Sequence, residues 1–159
     1  MRCHLLTLQD ADKQLHLLSP FTQEELQTAT SRSELFIGTL IDPQQGVAPG
    51  NIAYNRDFLV HVHALVRDEM VNHEDVIAQA KEQPNGFVFI IDRRSPVTLV
   101  GSESTQVDKE DIIGIFLCND QTTSREKYRP NPDYVLISNK GVAQFPEAVE
   151  SKIAELITF

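Results

Sequence analysis

Two long apolar runs in the C-terminal half of the chain most constrain what it can fold into. Residues Phe87–Asp92 and Ile112–Cys118 are almost uninterrupted stretches of apolar side chains, which is typical of strands that are buried in a core. The connections in this half are mostly too short and too polar to hold helical crossovers, and this disfavours a parallel sheet. We therefore predict an antiparallel meander, with Val97–Val100 as a hairpin partner of the first run and Tyr134–Ile137 as a third strand.

Much of the remaining chain has the apolar spacing and the capping residues that predict helices. Residues Asn55–Val71 carry apolar side chains at helical spacing behind a good N-cap. Thr22 and Glu25 have the spacing of a capping box, which predicts a helix that ends near residues 31–33. A shorter helix is expected after His73, and Pro146 suits the first turn of a closing C-terminal helix.

The N-terminal part also carries short apolar runs that predict strands. Arg2–Leu8 and Gln14–Leu18 are separated by a polar turn, and Leu35–Ile41 follows the first helix. Together with the C-terminal meander, these elements predict an α+β fold, packed by about four helices. Residues 42–51 are rich in Pro and Gly and form the only candidate internal boundary. Fewer than 45 residues precede that loop, too few for a separate core, so we predict a single domain over residues 1–159.

The charge balance limits the classes of partner. The 159 residues include 14 Lys and Arg against 23 Asp and Glu, a formal net charge of −9. Binding to nucleic acid or to anionic lipid needs a basic surface, so neither is expected. No apolar run approaches the roughly 18 residues of a membrane-spanning helix, and the first residues do not resemble a secretory signal. We expect a cytoplasmic protein.

One cluster of metal-binding residue types lies in the predicted long helix. His61 and His63 would point about 200° apart on a helix, at about 100° per residue, so they cannot bind one ion together. His61 could instead share a face with Asp57 and Asp68 and form a metal site. The alternative, which we favour, is an ordinary solvated or packing face.

A second cluster is basic and lies in two predicted loops. The candidate anion-binding residues are Arg93, Arg94, Arg125, Lys127 and Arg129. Guanidinium groups match phosphate and carboxylate well, so the two loops would form an anion site if they met in space. The alternative is that these basic side chains lie on exposed loops and only keep the protein soluble.

The chain lacks the motifs of familiar enzymes. It contains no phosphate-binding glycine loop, no nucleophile elbow and no zinc-protease motif, and no cofactor is implied. We therefore expect a non-enzymatic binding or regulatory module that acts through protein–protein contacts. The alternatives are a metal protein or small enzyme, and an anion or nucleotide sensor. Val97–Val100 and Val142–Ala143 could form free sheet edges, which would favour a homodimer.

Overall fold

A computed structural model describes residues 1–30, 32–96 and 107–158. These residues form nine strands: β1 (His4–Asp10), β2 (Lys13–Ser19), β3 (Gly38–Leu40), β4 (Ile52–Tyr54), β5 (Asn85–Ile91), β6 (Ile112–Asn119), β7 (Tyr128–Pro130), β8 (Ile137–Ser138) and β9 (Gly141–Val142). They also form four α-helices: α1 (Gln23–Thr28), α2 (Arg56–Met70), α3 (Glu74–Glu82) and α4 (Glu147–Glu155). The predicted α+β class, the C-terminal meander and the closing helix are confirmed.

The strands form three sheets in which every pairing is antiparallel. The first sheet has the order β1-β2-β3-β4, the second β5-β6-β7, and β8 pairs with β9 in a small third sheet. In the first sheet, β4 was not predicted, and the predicted strand Leu35–Ile41 shortens to β3. Residues Ser33–Leu35 form a 3₁₀ turn instead. Gly38 is needed in β3 because a Cβ there would lie 2.4 Å from the Ala53 carbonyl oxygen of β4.

The predicted helix starts are confirmed by their caps. The Glu25 amide donates to Thr22 Oγ1 at 3.2 Å, and the Thr22 amide donates to the Glu25 carboxylate at 2.7 Å. At the start of α2, the Asp57 amide donates to Asn55 Oδ1 at 3.1 Å. Helix α1 ends at Thr28, earlier than predicted, whereas α2 has nearly the predicted length.

The third strand of the C-terminal meander is β7, not the predicted Tyr134–Ile137. Most of that predicted strand has no ladder partner, because its backbone groups bond elsewhere. The Val135 amide donates to the Glu110 carbonyl at 3.2 Å. The Arg94 guanidinium donates to the carbonyls of Val135 and Leu136. The predicted hairpin partner Val97–Val100 lies outside the described residues.

An ion pair between Arg94 and Asp92 is buried behind these strands. Their side chains are 1% and 0% exposed, and Arg94 Nη2 lies 3.0 Å from Asp92 Oδ2. The same guanidinium donates to the carbonyls of Val135 and Gly141, each at 2.7 Å. Asp111 is also fully buried, with Oδ1 4.0 Å from Arg94 Nη2. Arg94 thus ties β5 to the β8–β9 hairpin.

Lys140 closes this network at the surface. Its ammonium contacts the carboxylates of Asp108 and Asp111, and these hydrogen bonds raise the pKa of Lys140. The carboxylate of Asp111 therefore has a cation on either side.

The apolar core draws on both halves of the chain. One cluster of buried side chains includes Leu18 and Ile37 from the first half, and Ile113, Phe116 and Ile153 from the second. Both cysteines are free thiols, and burial raises the pKa of Cys3 and of Cys118. Within the described residues, no helix is both long enough and apolar enough to cross a bilayer.

The substitution Arg94→Met tests the importance of the buried ion pair. It removes one partner and leaves the Asp92 carboxylate buried without its counter-ion, so we expect the free energy of unfolding to fall by about 3–5 kcal/mol. Urea unfolding followed by circular dichroism measures the change. The matched control is Arg93→Met, an exposed neighbour, which should shift the same quantity by no more than about 0.5 kcal/mol. Equal effects of the two substitutions would contradict the structural role of Arg94.

Candidate functional site

A groove of about 620 Å³ runs between helix α2 and residues 125–134. We call it the α2 groove. It is lined by Arg56, Leu59, Val60, His63, Ala64, Arg67, Arg125, Glu126, Tyr128, Pro130, Asn131, Pro132 and Tyr134. Cavities of roughly 300–1,000 Å³ with apolar walls and a few polar groups are typical binding sites.

Helix α2 supplies one wall because it has two distinct faces. Its buried face carries Phe58, Val62, Val66 and Met70 at successive turns and packs into the core. The groove residues of α2 repeat at the same helical spacing on another side. Val60 is an apolar residue on that second side and is 60% exposed.

The floor of the groove contains a hydrogen-bonded pair, His63 and Tyr128. His63 Nδ1 and the Tyr128 hydroxyl oxygen lie 2.9 Å apart, and the Tyr128 ring also packs on Phe116, with the ring centres 5.2 Å apart. Gly114 on β6 makes room for this ring, because a Cβ there would lie 2.4 Å from the Tyr128 hydroxyl. The position of Tyr128 therefore depends on a glycine in the neighbouring strand.

Burial keeps both members of this pair uncharged. It lowers the pKa of His63 and raises the pKa of Tyr128, since each charged form loses hydration. At neutral pH the floor therefore offers neutral hydrogen-bonding groups beside aromatic and aliphatic surface.

The second wall, residues 130–134, is fixed by Asn131. Its side-chain amide donates to the carbonyls of Lys109 and Ile112, both at 2.7 Å, and its Oδ1 accepts from the Asp133 amide at 3.1 Å. The wall is thus held by side-chain bonds to the backbone just before β6 and at its first residue. The prolines on either side of Asn131 restrict the same segment further.

Tyr134 connects the groove to the buried ion pair. Its hydroxyl donates to Asp92 Oδ2 at 2.7 Å, and the Arg94 guanidinium carbon lies 6.0 Å from the centre of its ring. Burial and the Asp92 carboxylate raise the pKa of Tyr134 well above its usual value. One face of Tyr134 therefore belongs to the groove while its hydroxyl belongs to the interior network.

The rim of the groove is basic. Arg67 binds the Asp68 carboxylate through two nitrogens, at 2.8 and 3.2 Å, and Arg125 approaches the same carboxylate at 3.5 Å. Arg56 is exposed and forms no ion pair with any residue that the structure describes. Three arginines and one carboxylate, that of Glu126, thus line the groove on a chain whose net charge is −9.

The predicted metal-binding residues are not brought together. Asp57 accepts a hydrogen bond from the Ser33 hydroxyl at 2.6 Å, and Asp68 pairs with two arginines. His61 Nε2 is buried without a hydrogen-bond partner among the described residues. In the described part of the chain, no group of three or more His, Cys, Asp and Glu side chains is placed to hold a metal ion.

The five predicted anion-binding residues are also separated. Arg94 is buried, and its two terminal nitrogens bond within the interior network, whereas its Nε has no partner among the described residues. Arg125 lies on the rim of the α2 groove, and Arg129 lines a different depression of about 330 Å³. Among the described residues, no hydrogen bond or ion pair joins residues 93–94 to residues 125–129. Of the set, only Arg125 reaches the groove. Arg93 is exposed at a site outside the groove, and Lys127 faces the Asn119 side chain.

The groove is not evident from the sequence, although the sequence contains two signals for it. Val60 and Ala64 are small or apolar residues outside the buried stripe of α2, and Arg56 and Arg67 flank them at helical spacing. The second signal is the length of the polar segment 119–132, a property common in functional loops. What the sequence could not show is that this loop lies across that helix face.

Comparison of the chain with protein-family models, with curated proteins and with solved structures gives no match.

Burial of His63 predicts a pH dependence of stability. The pKa of His63 is lower in the folded chain than the usual 6.5 or so of an unfolded one. The unfolded state therefore takes up a proton first as the pH falls, and the free energy of unfolding should decrease between about pH 6.5 and the lower folded pKa. Urea unfolding from pH 7.5 to 5 measures this decrease, and His63→Gln should reduce it.

Tyr128→Phe provides the control, because it removes the hydrogen bond but keeps His63 covered. It should retain the pH-dependent decrease. If the free energy of unfolding falls equally with pH in the wild type and in His63→Gln, His63 is not the cause of the decrease.

Proposed function

We propose that the protein is a non-enzymatic binding module and that its α2 groove takes an extended segment of a partner protein. The segment would carry apolar residues between acidic ones. The observation that carries this proposal is the combination of an exposed apolar wall on α2, which includes Val60, with arginines at both ends of the same helix face.

The dimensions of the groove fit an extended chain. Arg56 and Arg67 are eleven positions apart on α2, about 16 Å along the helix axis at roughly 1.5 Å per residue. An extended peptide covers that length with about five residues, at roughly 3.3 Å each. Two carboxylates at the ends of such a segment would reach the two arginines.

The residue types of the groove also favour a protein partner. Tyrosine and arginine contribute much of the binding energy in protein interfaces, whereas lysine and aspartate are depleted from their centres. The α2 groove contains two tyrosines and three arginines and no lysine. Its second wall is fixed before binding, so a ligand gains contacts without ordering that wall.

The experiment is a selection of displayed random peptides on the intact chain, followed by fluorescence anisotropy with the synthetic peptides that it enriches. We expect the enriched peptides to combine acidic and apolar residues. Arg56→Glu with Arg125→Glu should raise the dissociation constant by at least about tenfold, which corresponds to about 1.4 kcal/mol. Val60→Asp should also weaken binding, because it places a negative charge on the α2 wall, where it would repel the acidic residues of the segment.

Arg93→Glu is the control, since it reverses one arginine charge at an exposed site outside the groove, the same substitution that the test variant makes at each of its two positions. It should leave the dissociation constant unchanged. The proposal is overturned if no peptide is enriched, or if Arg93→Glu weakens binding as much as the groove substitutions do.

A further inference from the structure

We propose that the outer edge of strand β1 is a self-association surface, on which a second copy of the chain pairs its own β1 in antiparallel orientation about Thr7. This surface is separate from the α2 groove.

Strand β1 is an unprotected edge. It is the outer strand of the first sheet and pairs with β2 over seven consecutive residues without a bulge. No described residue forms a hydrogen bond to the outward backbone groups of this strand. Monomeric proteins usually protect such an edge with Lys, Pro, a bulge or a very short strand, and β1 has none of these.

The outward backbone groups can be assigned from the hairpin turn. Ala11 and Asp12 form the two-residue loop, and Ala11 has a positive φ of 49°. In such a hairpin the residues that flank the loop form the first bonded pair, and bonded residues alternate along the strand. The amides and carbonyls of Leu5, Thr7 and Gln9 therefore point away from β2.

The sequence of β1 is complementary to itself when a two-fold axis passes at Thr7. This register pairs all seven residues, and it places Leu6 opposite the second copy's Leu8 on both sides of the axis. Thr7 then faces its own copy, and His4 faces Asp10, an imidazole opposite a carboxylate. Leu5 faces Gln9 on the other face of the strand. Apolar and hydroxyl cross-strand pairs are favourable, and no like charges are opposed.

One face of the hairpin supplies the apolar surface that such a pairing would bury. Leu6, Leu8, Leu15 and Leu17 share this face through the cross-strand pairs Leu6–Leu17 and Leu8–Leu15. Leu8 and Leu15 are 38% and 39% exposed. Two copies would join these leucines into one continuous cluster and extend each four-stranded sheet into a sheet of twice the size.

The alternative edge suggested by the sequence, Val142–Ala143, does not compete with β1. Ala143 is fully buried and its amide donates to the Leu136 carbonyl at 2.7 Å.

Sedimentation velocity over a wide range of protein concentration tests the association. The wild type should shift from one to two chain masses as the concentration rises. Thr7→Pro should remain at one mass, because it removes an outward amide that the second copy needs while the pairing with β2 is kept. Leu8→Lys should have the same effect by placing two charges in the leucine cluster. Ile41→Lys is the matched control, an exposed residue outside the hairpin, and should associate like the wild type.

Cross-linking tests the register. Residues that directly oppose each other in a bonded antiparallel pair have Cα atoms about 5.5 Å apart, within the range of a disulfide. Thr7→Cys should therefore form a reducible covalent dimer on oxidation, whereas Gln9→Cys, which would face Leu5 of the second copy, should not. A wild type of one chain mass at every concentration overturns the proposal, and so does equal cross-linking of the two variants.

Discussion

The Arg94 guanidinium and the Asp92 carboxylate meet 3.0 Å apart in the interior, and neither is accessible to water. Removing two charges from water costs several kcal/mol per ion, and their mutual attraction offsets this only when further hydrogen bonds are made. The chain supplies them as a set of acceptors around one side chain, including the carbonyls of Val135 and Gly141. Through these bonds Arg94 holds the β8–β9 hairpin against the segment that follows β5.

The same ion pair determines the shape of the α2 groove. Tyr134 lies where its hydroxyl can reach Asp92, and this places its ring in the groove wall. Tyr128 is placed in a similar way, by the space over Gly114 and by the bond to His63. The apolar surface of the groove is thus held by polar contacts beneath it, and these contacts limit its freedom to collapse.

The sequence predicts the elements whose signals are local and long. Helix α2 and strands β5 and β6 have many residues in one pattern, and the caps at Thr22 and Asn55 are formed by neighbours in the chain. Short strands such as β4 and β7 have three residues each. Their pairing is decided by distant partners, so a pattern within three residues cannot reveal it. The segment Tyr134–Ile137 has an apolar strand pattern, but its backbone is drawn to a side chain more than 40 residues away.

The candidate site residues show the same limit more sharply, because arginine lies in opposite environments at two of their positions. Arg94 and Arg125 both follow strands in polar segments, yet the first is buried in the interior and the second is 58% exposed on the groove rim. At physiological salt a charge more than about 8 Å away is largely screened, so the net charge of −9 repels an acidic segment only weakly and the rim arginines attract it only at contact. For the partner segment proposed above, the apolar residues of the groove would therefore supply most of the affinity, and the arginines would set the orientation of the segment.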